Sequence, residues 1–515
     1  MISDQKIEAA DLIEAYVKKI LASRVYDLAI ETPTTFAPKL SKRLGIRVSL
    51  KREDMQEIFS FKVRGAYNKL SYLSSQEKKL GVIAASAGNH AQGVSIAARE
   101  LGIAATIVMS HNTPGIKVAA VKDIGAKVIL EGDNYDAAAQ YAKKLSENLG
   151  LALIPPYDDP DIIAGQGTVG LEIINQHGED LECIFVPVGG GGLIAGIAAY
   201  AKYVRPKIKI VGVEAEGSAC LTLALERKKR VALNSEKLDL FADGVSVAQV
   251  GKEPFKIAKH CVDSMVTVNT DEICAAIKDV FEETRTVAEP AGALAIAGLK
   301  KYAQQNNLVG PSVAIVSGAN VNFDRLRHIS ERAEVGEARE KILGVGLEEK
   351  PGSFLRFSRS LGSRAVTEFN YRLGDATRAN VYVGIEVESG VDAENLFEDL
   401  KIKGYPITDL TENEAAKVHL RHMVGGKPKT PISEAVFRFE FPERKGALLK
   451  FLKNIGNEWD ITLFHYRNHG AAWGRVLVGF AILGKPIDEL REHLVKVGYR
   501  YWEETHNEGY NLFLR

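Results

Sequence analysis

The chain has 515 residues, 46% of them hydrophobic and 26% charged, and its 66 basic side chains balance its 66 acidic ones. Such a neutral, globular composition recommends neither a nucleic acid nor an anionic membrane as partner. No run of about 18 apolar residues is present to span a bilayer, and the length predicts two to four domains. The first residues (Met1, Ile2, Ser3, Asp4, Gln5, Lys6) lack the basic-then-apolar pattern of a signal peptide. Cys183, Cys220, Cys261 and Cys274 have no metal or redox spacing. They read as small core residues in a reducing, cytoplasmic compartment, and no metal site is expected.

Up to about residue 330, short apolar strands alternate with helical patterns. The strands are predicted at 81–85, 105–109, 127–130, 184–188, 208–213 and 313–316. This alternation predicts an α/β fold with parallel sheets covered by helices on both faces. The first chemical signal precedes them. In Ser60-Phe61-Lys62-Val63-Arg64-Gly65-Ala66 a turn-containing stretch gives way to a helix. A lysine in a first helical turn feels the positive end of the helix dipole, and Lys51, Arg52 and Arg64 are close in sequence. Both influences favour the neutral amine, the form that makes Schiff bases and abstracts protons.

Next, the strand at 81–85 runs into Ser86-Ala87-Gly88-Asn89-His90 and then a helix over 91–101. Backbone N–H groups at such a helix start bind anions, a substrate carboxylate for example. Asn89 can also donate to a phenolic oxygen. Ser86 as a plain N-cap and His90 as a satisfied core histidine remain open readings. Further on, the strand at 184–188 meets Gly189-Gly190-Gly191-Gly192 and then the apolar helix that starts Leu193-Ile194-Ala195. Four glycines let bare N–H groups approach a phosphate. A rival reading is present: Gly190, Gly192 and Ala195 spell a dinucleotide fingerprint, and Glu214 lies where a ribose-binding acid belongs. That rival leaves Lys62 and the turn at 86–90 unexplained. Finally, the strand at 313–316 ends in Ser317-Gly318-Ala319-Asn320, where a hydroxyl can face a ring nitrogen.

Residues 331–341 are charge-rich and predict a solvated connecting helix. Beyond them the chain duplicates. Lys350-Pro351-Gly352-Ser353-Phe354-Leu355 recurs as Arg444-Lys445-Gly446-Ala447-Leu448-Leu449, and Phe369-Asn370-Tyr371-Arg372 recurs as Phe464-His465-Tyr466-Arg467. Each copy, with a period of about 95 residues, predicts a ferredoxin-like α+β sandwich. Boundaries follow: a domain over 1–330 with a small lobe at roughly 52–155, the helix at 331–341, and modules at 342–425 and 434–515.

Together the segments SFKVRGA, SAGNHAQG, VPVGGGGL and VSGANVN resemble the serine/threonine dehydratase branch of the fold-type II (tryptophan synthase β-like) pyridoxal-phosphate enzymes. Over nearly its whole length the chain is similar to the biosynthetic threonine deaminases, whose C-terminal third carries ACT-like modules. The resemblance implies pyridoxal 5'-phosphate as cofactor, with Lys62 as its Schiff-base lysine and as catalytic base. Asn89 would lie at the phenolic oxygen, Gly189, Gly190, Gly191, Gly192 and Leu193 at the phosphate, and Ser317 at the pyridine nitrogen. Ser86, Ala87, Gly88, Asn89 and His90 would hold the substrate carboxylate, with Glu289 near the ring. It also implies conversion of L-threonine to 2-oxobutanoate and ammonia, and of L-serine to pyruvate. Isoleucine would inhibit and valine counteract, with Phe354, Tyr371, Leu448 and Tyr466 as candidate effector residues, in a homotetramer. No acidic side chain stands within the motifs, so the cofactor phosphate is the expected proton donor to the β-hydroxyl. Serine racemisation, β-replacement, a dinucleotide-dependent oxidoreductase and a non-enzymatic amino-acid sensor are the competing classes. A duplication that only builds an oligomer interface is the competing role for the last third.

Overall fold

The computed structural model describes residues 2–336, 339–348, 356–357, 360–361, 364, 366–372, 378–422, 433–442, 459, 461–467, 473–482, 484 and 486–515. Two compact units result, Met1–Ala333 and Glu334–Arg515.

The first unit holds two sheets. The larger has six strands in the order Thr34–Phe36, Val48–Arg52, Ser312–Val316, Cys183–Pro187, Lys209–Ala215 and Ser264–Val268. All neighbours are parallel except Thr34–Phe36, which closes one edge antiparallel. Its central strands are buried throughout, which is why Cys-Ile-Phe-Val-Pro reads as a continuous apolar run rather than an alternating one. The smaller sheet, Lys127–Leu130, Ala105–Met109, Val82–Ala85 and Ala152–Leu153, is entirely parallel. It is inserted between the second and fourth strands of the larger sheet and forms its own lobe. Helix boundaries follow local chemistry. Asp159 caps Pro160–Gln176 by accepting from Asp161 and Ile162, and Asn269 and Glu272 make a capping box at Thr270–Thr284.

The second unit contains two four-stranded antiparallel sheets of one topology. The first runs Val366–Arg372, Arg378–Glu386, Glu340–Glu348, Ile407–Asp409; the second runs Ile461–Arg467, Trp473–Ala481, Glu434–Pro442, Arg500–Glu503. In each module the first strand along the chain pairs with the third and the fourth, the ferredoxin-like order. Leu343, Val345, Val381 and Val383 pack with Leu396 and Leu400 of the helix Gly390–Ile402; Phe437, Phe439, Val478 and Phe480 pack with Leu490 and Leu494 of Ile487–Val497. The duplication extends to details. Each second strand carries an irregularity at the matching place, Val366/Glu368 and Ile461/Leu463. Thr411 and Thr505 each accept the backbone N–H of the first strand, from Ile342 and Val436 at 3.1 Å.

The helix expected at 331–341 differs. It runs Leu326–Gly336, and Glu340 already begins a strand in which Ile342 is buried. Leu343, Val345 and Leu347 alternate on one face with a period of two, and Ile342 is buried on the other, which overrides the charge-rich composition.

Candidate active site

The segments at 60–66, 86–90, 189–192 and 317–320 each follow the carboxyl end of a parallel strand, where open α/β sheets place their sites, whereas Glu289 sits between two helices. Lys62 opens the helix Lys62–Ser71. The chain reaches it through Phe59 in the left-handed region, φ 54°, and through contacts with the loop after Ser312–Val316: Ala319 donates to the Phe59 carbonyl at 2.9 Å and Phe61 to that of Ser317 at 3.3 Å. Glycines let two other helices approach the first turn closely. A Cβ at Gly93 would stand 3.0 Å from the Lys62 carbonyl oxygen, and one at Gly165 would stand 2.7 Å from that of Arg64.

Lys62 Nζ donates to the Pro156 carbonyl at 2.9 Å. Desolvation lowers its pKa to about 8, opposed by the nearby Glu289 carboxylate. The direction matches the expectation from sequence, but the neighbouring cations do not produce it. Lys51 pairs with Glu172 at 2.6 Å, Arg52 with Asp54 at 2.7 Å, and Arg64 is held by Glu53 and Glu172 at 2.7 and 2.5 Å. Their charge is spent on carboxylates within the protein.

The helix Asn89–Glu100 starts at Gly88, which makes no side-chain cap, so its first N–H groups are not consumed by a capping oxygen. Ser86 is therefore not the N-cap; its Oγ accepts from Gly88 N–H at 3.2 Å and shapes the turn. Asn89 donates to Glu289 at 2.6 Å and accepts from Asn320 at 2.8 Å, which leaves one amide hydrogen of Asn89 for a further acceptor. His90 is buried, its Nε2 lies 3.0 Å from the Ile154 carbonyl, and burial with nearby Lys62 pushes its pKa down to about 3. A carbonyl only accepts, so Nε2 carries the proton of a neutral ring. The side chain is thereby committed to the core, and only the backbone N–H of His90 faces the turn's task.

Glu289 occupies the N-cap position of Pro290–Asn306 yet makes no capping bond. It is buried, and desolvation raises its pKa to about 7, with Asp243 adding to the rise and Asn89 and Lys117 opposing it. An acid group thus stands at the site that the motifs alone did not supply. Ser317, also buried, donates to the Ala291 carbonyl at 3.1 Å, so a ring nitrogen would compete for the same hydroxyl proton.

At the glycine loop the helix Gly192–Val204 begins behind Gly191, whose φ of 91° is left-handed. Cβ atoms here would collide with fixed neighbours: at Gly189 with Val245 backbone at 2.9 Å, at Gly190 with the Tyr157 ring at 2.2 Å, at Gly191 with Pro254 at 2.9 Å. Glu214, the acid the dinucleotide reading requires, is buried. It accepts from Leu221 N–H, Thr222 N–H and the Thr222 hydroxyl at 2.7, 2.8 and 2.6 Å, closing the start of Cys220–Glu226. It has no reach left for a ribose.

Comparison with known proteins agrees with this geometry. The family of pyridoxal-phosphate dependent enzymes matches residues 25–318, and the C-terminal regulatory domain of threonine dehydratase matches twice, at 331–420 and 426–514. The biosynthetic L-threonine dehydratase of Pasteurella multocida is 48% identical over 97% of both chains, and that of Escherichia coli 46% over the full length of both. The chain belongs to the biosynthetic threonine dehydratase family. Among solved structures, the processed form of threonine deaminase isoform 2 from Solanum lycopersicum is 50% identical, with a TM-score of 0.61, over 63% of this chain and 94% of that one. The dehydratase is a pyridoxal-phosphate enzyme, and the residues present fit that group. A loop whose glycines exclude every side chain opens a buried helix, as a phosphate ester requires, and a lysine of lowered pKa stands with it.

Sequence reasoning missed Pro156, Tyr157, Lys117 and Asp243, and it quoted Asn320 without giving it a role. Of these only Asn320 lay inside a motif. In the regulatory modules, Phe354 and Leu448 lie outside the described residues. Tyr371 and Tyr466 sit at matching register, opposite Val381 and Val476, with their side chains outside what the structure describes. Among the described residues no helix is long and apolar enough to cross a membrane, and no cluster of acidic, His or Cys side chains is set to hold a metal ion.

Proposed function

We propose that this enzyme converts L-threonine to 2-oxobutanoate and ammonia, and L-serine to pyruvate, in the cytoplasm, as the committed step of isoleucine synthesis. The observation that carries the reading is one amine, Lys62, desolvated to a pKa of about 8 in a site that also holds the glycine loop. Lys62 would bind the cofactor, with Gly189, Gly190, Gly191, Gly192 and Leu193 at its phosphate, Asn89 at its phenolic oxygen and Ser317 at its ring nitrogen. Bound pyridoxal phosphate supplies a conjugated electron sink that stabilises negative charge at Cα.

The chain's own groups do the rest. Ser86, Ala87, Gly88, Asn89 and His90 would hold the substrate carboxylate at the helix start, through the Ser86 hydroxyl and the N–H groups of Ala87, Asn89 and His90, since the Ser86 and Gly88 N–H groups are taken by Val108 and by Ser86 itself. The neutral Lys62 amine removes the Cα proton. The Pro156 carbonyl, 2.9 Å from Nζ, orients that amine and then stabilises the ammonium it becomes. The Ser317 hydroxyl is not an acid, so it does not protonate a ring nitrogen, and loss of the β-hydroxyl outruns side reactions. Water leaves from Cα and Cβ, and a second water replaces the amine as ammonia. Lys62→Ala is expected to abolish 2-oxo acid formation from L-threonine and the visible absorbance of the loaded enzyme; a variant of normal activity overturns the assignment.

The division into 1–330, a connecting segment, 342–425 and 434–515 belongs to the same proposal, as does a homotetramer. Isoleucine would inhibit and valine counteract at a site near Phe354, Tyr371, Leu448 and Tyr466. The two matches to a regulatory domain support control by small effectors. A remote inhibitor needs different affinities for two states. Removing everything beyond residue 333 is therefore expected to keep turnover and lose isoleucine sensitivity; inhibition at an unchanged concentration would contradict it.

A further inference from the structure

We propose that Lys117 and Asp243 form a latch that positions the small lobe over the large one during this reaction. The inference rests on the site assigned above. Lys117 lies on the small-lobe helix Gly115–Ile124; Asp243 lies in the short 3-10 turn Asp243–Val245 of the large lobe. Lys117 Nζ meets Asp243 Oδ2 at 2.5 Å, across the two sheets' territories and 126 residues apart in sequence.

What each partner touches gives the pair its consequence. Gly115–Ile124 packs on Asn89–Glu100, the helix whose start is the substrate-carboxylate turn. Within Gly115–Ile124, Val121 is buried and Val118 and Ile124 pack partly against the core, while Ile116 is exposed at the end that carries Lys117, so a tether at that end counts. On the other side, the Asp243 turn rests on the cofactor floor. The Val245 backbone covers Gly189 closely enough to exclude a Cβ, at 2.9 Å, and Gly244 faces Ala291 and the Glu289 carboxylate. Asp243 is itself held from below by Arg325, 3.6 Å away, whose guanidinium donates to the Phe241 carbonyl at 2.9 Å and covers the Phe241 ring. Lys117 and Arg325 together keep the Asp243 carboxyl well below its usual range, at about 2. One ion pair thus links the carboxylate-binding turn to the glycine loop. It acts alongside Asn89, which reaches Glu289 from the small lobe. The Lys117 and Asp243 side chains are 29% and 43% exposed, so substitution does not empty the core.

Lys117 and Asp243 are positioning residues, and the test separates that role from general stability. Lys117→Gln and Asp243→Asn are each expected to raise KM for L-threonine about three- to tenfold with kcat changed less than twofold. The double variant is expected to match the worse single, because both remove the same contact. Lys117→Arg should keep KM within about twofold of the parent, and added salt should raise KM of the parent but not of the variants. Single variants with unchanged KM, or a double variant whose loss is the product of the singles, overturn the latch. The parent enzyme in the same assay keeps the two ideas apart: no 2-oxo acid from the parent sinks the site itself, whereas an active parent with indifferent variants sinks only the latch.

Discussion

The two halves of this enzyme bury polar groups in opposite styles. The first unit sets unique charges in its interior. Lys51, Glu53, Arg64 and Glu172 are all within 1% of complete burial, pair with one another, and surround the first turn of the Lys62 helix. A set of buried ions is often no more stable than an apolar core of the same volume. What it supplies here is one geometry for the turn that carries the reactive amine. Among the described residues of the second unit some polar contacts recur in both copies, Thr411 matching Thr505 and Asn413 matching Asn507, beside single ones such as Tyr382, which donates to the Ala416 carbonyl at 3.0 Å. Chemistry demands one asymmetric arrangement, whereas sensing can be assembled from two copies of one ordinary module.

If that contrast is right, the largest effects come from crowding the unique half. Gly190→Ala would place a methyl group 2.2 Å from the Tyr157 ring, beyond what a rotamer change relieves. It is expected to weaken cofactor affinity about a hundredfold, at the upper end of overpacking costs. Equilibrium titration of the apoprotein measures it; wild-type affinity would show that the loop is not the phosphate cradle. Next comes Glu289, whose pKa is raised from 4.5 to about 7. A carboxyl that binds its proton more tightly in the folded state loses stability as pH rises through the interval between those values. Glu289→Gln should therefore stabilise the apoprotein by on the order of 2–3 kcal/mol at pH 8 and by almost nothing near pH 4.5. Equal gains at both pH values would mean that ionisation is not the cause. A smaller effect belongs to Lys62. With a pKa of about 8 its neutral fraction, and with it the initial rate at which apoprotein takes up pyridoxal phosphate, should rise about fivefold from pH 7 to 8 and level off above 9. An ordinary lysine would keep gaining about tenfold per unit beyond that.

How much of this could be read in the chain depends on whether the signal is local. The glycine loop and Lys62 were legible because strand, turn and helix follow one another within a dozen residues and carry their chemistry with them. The strand Val48–Arg52 was not, since two of its five residues are Lys and Arg. It lies inside the sheet because Lys51 finds Glu172 on a distant helix, while Arg52 pairs with nearby Asp54 and reaches the distant Thr286 hydroxyl, which no propensity reports. The same fact explains why the lowered pKa of Lys62 was foreseen for the wrong reason: closeness in sequence placed three cations beside it, and tertiary structure turned all three away. Pro156 and Asp243 come from connecting segments without a period and Lys117 from the partly exposed side of a helix, and only the folded chain brings them to the amine and the loop. The C-terminal duplication was plain from repeated wording, and its two described candidate residues, Tyr371 and Tyr466, fall at matching places in the strands Val366–Arg372 and Ile461–Arg467.

The finest test of the contrast lies in the modules. Asn413 caps Glu414–Val418 by accepting from Ala416 at 2.9 Å, and Asn507 caps Glu508–Phe513 by accepting from Gly509 at 2.9 Å. Each amide also donates to the other's oxygen, at 3.3 and 3.2 Å, so two equivalent residues meet across the pseudo-twofold relation of the copies. Around them Ile342, Tyr382, Leu420, Val436, Leu477 and Tyr510 form one apolar cluster drawn from both modules. Either Asn→Ala change removes a cap, worth about 1 kcal/mol, together with the shared pair. The double variant loses two caps but only one pair, so its cost should fall short of the sum of the singles by about 0.5 kcal/mol or more. Chemical denaturation followed through the tryptophans of the regulatory unit resolves that gap. Strict additivity would mean that the modules are two neighbours that happen to touch, and that a signal felt in one has no polar contact here through which to reach the other.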